Sequence, residues 1–112
     1  AASERGGGEG AGATVNIPLA SGTDGDEYLA AFRARALPAL RDFDPGLLLV
    51  SAGFDAHRAD PVTDLGLDAA AFATMTRELQ GIGAGPVMVL EGGYDLTALR
   101  DSTTAVLTAL AE

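Results

Sequence analysis

The stretch "SAGFDAHRADP", residues 51–61, follows four apolar residues and places Asp55, His57 and Asp60 close together. Carboxylate oxygens and imidazole nitrogens are the donors that zinc or a related ion accepts. Each residue also has a plain use. Asp55 can close a turn through its own backbone. His57 can be an ordinary loop histidine, and Asp60 before Pro61 is a common turn residue. A second stretch, "EGGYDL", sets Gly92 and Gly93 directly before Tyr94. Paired glycines permit positive φ angles and let a ligand come close to the backbone. A tyrosine hydroxyl there can donate to a developing oxyanion, or the tyrosine can simply pack over a tight turn.

Two strands have to bring these stretches together. "LLLVSA", residues 47–52, and "PVMVL", residues 86–90, are short continuous apolar runs, the pattern of strands buried on both faces. "TVNIPL", residues 14–19, alternates and is β-branched, which predicts a short strand ending near Pro18. Between these runs the periodicity is helical. Leu29, Phe32, Ala36, Leu40 and Phe43 recur at three- and four-residue steps and predict a helix over 26–43 with one apolar face. Asp24 and Glu27 have the spacing of a capping box, and Pro38 should kink the helix by crowding the carbonyl of Ala34. Asp68 is placed to cap a second helix with Phe72, Met75, Leu79 and Ile82 inward. Residues 97–111 read as a third, with Leu99, Val106 and Leu110 inward.

Strand, helix, strand, helix, strand, helix is the order of an α/β domain with a parallel sheet, and its crossovers should be right-handed. If the strands at 47–52 and 86–90 are neighbours, their carboxyl ends share one sheet edge, about 5 Å apart. Ligands of open α/β sheets bind at that edge. Asp55 lies just past one strand end and Tyr94 just past the other. The connection over 53–67 is long for a compact domain, and such loops are usually functional or disordered.

The chain has 112 residues, a net charge of −9, no Cys and no Trp. Leu and Ala must carry the packing, and any metal would need carboxylate and imidazole ligands. The acidic balance argues against nucleic acid as a direct partner. It fits a cationic substrate or merely a solvated acidic surface. No apolar stretch reaches the length of a membrane span. None has the pattern of a secretory leader, and the cytoplasm is the default expectation. Residues 1–13 are Gly-rich and expected to be flexible. The chain begins without Met, which suggests a piece of a longer one.

The two central motifs, "LLLVSAGFDAHRADP" and "VMVLEGGYDL", together resemble the C-terminal part of the zinc-dependent histone deacetylase family. The likeness is closest to its bacterial branch of acetylpolyamine amidohydrolases and acetoin-utilisation-type proteins. "GEGAGATVNIPL" is similar to the preceding family segment, with Gly10, Gly12, Asn16, Pro18 and Leu19 matching. The resemblance implies that residues 1–112 are the C-terminal portion of one arginase/deacetylase-like α/β domain, a three-layer sandwich with a mostly parallel sheet. It implies a zinc-dependent amidohydrolase that cleaves acetyl-lysine or acetylpolyamine with metal-activated water. Asp55 falls on the family's third zinc-ligand position, and Tyr94 on the tyrosine that polarises the substrate carbonyl. Gly92 and Gly93 fall on the glycines lining the acetyl channel. His57 and Asp60 match common loop residues of the family and none of its ligands.

The family's other two ligands come from an upstream Asp-x-His motif, and its catalytic histidine pair from further upstream. Asp55-Ala56-His57 has the Asp-x-His spacing but sits at the third-ligand position. With one ligand the site cannot close, so the resemblance implies that this chain alone lacks turnover. Two other readings stand beside the enzyme: a non-catalytic remnant serving as a structural or interaction domain, and an unrelated α/β phosphate binder. The last is weakened because the Gly-rich run at 6–12 precedes a predicted strand and does not lie between a strand and a helix start.

Overall fold

A computed structural model describes residues 1–112, with two parallel strands and four α-helices. Asp24 opens the first helix. Its carboxylate accepts the Glu27 N–H at 2.9 Å while the Glu27 carboxylate accepts the Asp24 N–H at 3.2 Å. This is the expected capping box. Helix α1 (Gly25–Ala31) passes through a wider π turn (Phe32–Ala36) into α2 (Leu37–Phe43). Pro38 disturbs the helix as expected, but the disturbance lies one turn earlier. The Leu37 N–H reaches back five residues to the Phe32 carbonyl, and this wider turn meets the crowding that the proline ring causes.

The π turn also corrects the expected apolar face. An extra residue in one turn rotates everything after it. Leu37 becomes the deepest residue of the segment, 3% exposed, and Phe43 swings outward to 74%. Asp44 then ends α2 in the left-handed conformation at φ 50°.

Strand β1 (Leu48–Ala52) follows, then the 53–67 connection, helix α3 (Ala69–Leu79), strand β2 (Pro86–Leu90) and helix α4 (Leu96–Leu110). Both later helices start on an aspartate. Asp68 accepts from the Ala71 N–H at 2.9 Å and Asp95 from the Ala98 N–H at 2.8 Å. The two strands pair in parallel, Leu48 opposite Pro86 through Ala52 opposite Leu90. The expected strand at 14–19 is absent. Extended backbone becomes a strand only beside a partner, and here β1 and β2 pair only with each other.

The helices pack on one face of this sheet. Leu37, Leu48, Leu79 and Ile82 form one core cluster, with Val50 packed on it; Phe54, Leu67, Ala71, Phe72 and Val106 form another, with Met88 packed on it. The alternate residues of the strands are open: Leu49 is 67% exposed and Val89 55%. The expectation of strands buried on both faces therefore fails within this chain. The apolar runs are present, but the chain supplies a helical layer on one side only. The result is a partial α/β domain with a parallel sheet.

Candidate active site

The in-register pairing of β1 with β2 brings both strand ends to one edge. The ladder continues past them, with Glu91 N–H to the Ala52 carbonyl at 3.0 Å and Phe54 N–H to the Gly92 carbonyl at 2.8 Å. The residue before Asp55 is therefore bonded to the residue two before Tyr94. Phe54 itself turns into the core, 5% exposed. Its ring meets Phe72 of α3 edge-on, 5.1 Å between centroids at 88°. An edge-to-face aromatic pair is a stable arrangement, and here it fixes the base from which Asp55 projects.

The Asp55 carboxylate lies between two glycines. A Cβ on Gly92 would stand 2.7 Å from Asp55 Oδ2, and one on Gly53 would stand 2.9 Å from Oδ1. Both positions must lack a side chain for the carboxylate to sit where it does. Asp55 is half-buried. Its main-chain carbonyl accepts the Thr63 hydroxyl, yet no N–H or O–H of the chain bonds to its carboxylate oxygens. A half-buried carboxylate held in a glycine cradle and left without donors is free to accept a proton donor or a cation. It stands without the company a closed metal site needs: nowhere do three His, Cys, Asp or Glu side chains come together closely enough to hold a metal ion.

Tyr94 is 58% exposed at the same edge. Gly93 before it has φ 134°, and a Cβ there would crowd Phe54 and Leu99 at 3.2 Å. Both the backbone angle and the close packing favour glycine. The Tyr94 N–H donates to Asp60 Oδ2 at 2.9 Å. Asp60 is thus more than the turn residue that its place before Pro61 suggests. It is 8% exposed, and its other oxygen accepts from the Val62 and Thr63 N–H groups at 2.8 and 3.3 Å. Burial raises its pKa, but the N–H donors of Tyr94, Val62 and Thr63, together with nearby His57, outweigh this and hold it below the usual carboxylate value.

His57 stands apart from Asp55 in role. Its Nδ1 accepts the Ala59 N–H at 3.1 Å, and its backbone bridges to Leu67. With Arg58 N–H to the Leu67 carbonyl at 2.8 Å and Leu67 N–H to the Ala56 carbonyl at 3.1 Å, the ends of the 53–67 connection are pinned together. The connection is therefore a closed, compact loop. Tyr28 of α1 is a neighbour that no sequence motif marks. This half-buried phenol has its pKa raised by burial and, secondarily, by the charge of Asp55. Its place near Asp55 depends on how α1 docks, which residue spacing does not encode.

The clefts elsewhere have other linings. An apolar one of about 740 Å³ is lined by Val15, Ile17, Leu40 and Phe43 among others. Another lies between Asp24, Asp26 and Asp68. Neither includes Asp55 or Tyr94.

A family model described as "Histone deacetylase domain" matches residues 1–110. Human histone deacetylase 7 is 46% identical over 98% of this chain, and histone deacetylase clr3 of Schizosaccharomyces pombe is 43% identical over 92%. The uncharacterized protein slr0245 of Synechocystis is 45% identical over 86%. This chain spans 12%, 15% and 32% of those three proteins, respectively. Among solved structures, the histone deacetylase Clr3 superimposes with a TM-score of 0.94 at 40% identity, over 97% of this chain and 19% of that one. The HDA15 HD domain gives the same TM-score at 36% identity, over 100% of this chain and 33% of that one. The near-equal identities to eukaryotic and cyanobacterial relatives single out no bacterial branch.

Proposed function

The chain belongs to the histone deacetylase domain family, and from that premise we propose that it supplies one metal-ligating carboxylate and the carbonyl-polarising tyrosine of a zinc-dependent deacetylase. The observation that carries this reading is the Asp55 carboxylate, free of donors from its own chain and seated against Gly92, two residues before Tyr94. Zinc, when bound, supplies a Lewis acid that polarises the amide carbonyl and lowers the pKa of the attacking water.

The chain's own residues do the rest of what is assigned to it. Asp55 gives the metal an anionic oxygen. Tyr94 donates its O–H to the carbonyl oxygen as negative charge grows there, a donor aimed at the transition state more than at the substrate. Gly92 and Gly93 form the wall beside the acetyl group, their backbone drawn close to Asp55 and to Phe54 and Leu99 where a side chain would not fit. His57 is a loop support. Proton transfer from water to the leaving amine falls to residues outside this chain, which on its own has no turnover. The net charge of −9 supports a cationic carrier of the acetyl group, an acetyl-lysine peptide or, more narrowly, an acetylpolyamine.

The test is turnover by the whole protein that carries this segment, on an acetyl-lysine peptide and on an acetylpolyamine. Tyr94→Phe is expected to lower kcat by about 10²–10³, the usual cost of one oxyanion donor, while bound zinc stays at the wild-type level. A variant that runs at the wild-type rate removes Tyr94 from the reaction. A whole protein that deacetylates neither substrate favours the non-catalytic reading.

A further inference from the structure

We propose that Asp60 is the positioning residue for Tyr94: its carboxylate clamps the tyrosine's backbone to the loop that carries Asp55. The inference rests on the role given to Tyr94 above. A ring that is 58% exposed receives little restraint from side-chain packing, so the place of its hydroxyl depends on how the backbone beneath it is held. Two bonds hold it. The Gly92 carbonyl accepts from Phe54 N–H at 2.8 Å, and the Tyr94 N–H donates to Asp60 Oδ2 at 2.9 Å.

The second bond joins residues 34 apart in sequence and ties the loop after β2 to the loop after β1. A turn-forming aspartate would need only Oδ1, which already accepts from Val62 and Thr63. Oδ2 does something a turn does not require. The clamp also reaches the metal-ligand side, because Thr63, whose N–H bonds to Asp60, donates its hydroxyl to the Asp55 carbonyl. One carboxylate, 8% exposed, thereby sets Tyr94 relative to Asp55. A bond from an amide to a carboxylate is stronger than one between neutral groups, and burial spares it competition from water.

The experiment is a double-mutant cycle in the whole protein: Asp60→Asn, Asp60→Ala, Tyr94→Phe, and each Asp60 change combined with Tyr94→Phe. Asparagine keeps the size but has one accepting oxygen, so it cannot serve both Tyr94 and the Val62–Thr63 pair. Asp60→Asn is expected to keep its zinc and lower kcat by about 10- to 100-fold, the range for small misplacements of a reacting group, with little change in KM. Backbone amide exchange in the 91–96 peptide should quicken. In the Tyr94→Phe background, where no hydroxyl remains to be placed, the same change should cost less than about 2-fold, a large departure from additivity. An Asp60 effect that persists in full in that background overturns the proposal. Loss of zinc or of folding in both Asp60 variants makes the residue a structural brace and overturns it too. If Tyr94→Phe alone leaves turnover unchanged, the failure lies in the role of Tyr94, and the role of Asp60 falls with it.

Discussion

At Asp55 the decisive neighbour is the one with no side chain. A Cβ on Gly92 would fall 2.7 Å from Asp55 Oδ2, closer than two such atoms can stand, so the carboxylate would have to turn away. Gly92→Ala in the whole protein is therefore expected to weaken zinc binding by about 10- to 100-fold, the size of effect seen when groups supporting a ligand are changed. Gly10→Ala is the control, since a Cβ there meets nothing within 4 Å. Zinc titration of both checks this; equal affinities would mean that Gly92 does not shape the ligand position. Only part of this pairing is legible in the sequence. "GFD" and "EGGY" are recognisable, and strand pairing puts them on one edge. That Gly92 touches the Asp55 carboxylate depends on the register of the ladder, which residue types do not set.

Among the elements, the 53–67 loop is one whose stability responds to acid. Asp60 has a lowered pKa in the folded chain. Its contribution is therefore present above the ordinary carboxylate value and is lost as pH falls through the lowered folded value. The melting temperature of the wild type should fall more steeply than that of Asp60→Asn as the pH drops below the ordinary value of 3.8. Parallel melting curves across that range would separate the clamp from stability. Helices α3 and α4 and both strands are legible in the sequence because their apolar patterns are clean and Asp68 caps where a helix must start. The segment over 25–43 is legible only in part. Pro38 announces a disturbance, but a regular 3.6-residue repeat does not foresee a π turn that buries Leu37 and exposes Phe43. The weight of Asp60 stays hidden because its partner at Tyr94 is distant in sequence, and "Asp-Pro" looks like an ordinary turn.

Across the whole molecule the same asymmetry recurs: a helical layer on one face of the sheet, and Leu49, Val87 and Val89 open on the other. Apolar strand residues left half or more exposed on one face indicate a surface built to be covered. The matched structures, of which this chain covers 19% and 33%, are correspondingly larger. The proposed metal site has the same one-sidedness: Asp55 belongs to no group of three or more His, Cys, Asp or Glu side chains that could hold an ion. Everything assigned to this edge of the sheet depends on Asp55 being a ligand. The most direct measurement is zinc per chain in the purified whole protein carrying Asp55→Ala, beside the wild type. The expected result is loss of the bound ion in Asp55→Ala while the wild type keeps it. Zinc retained at the wild-type level would contradict the account.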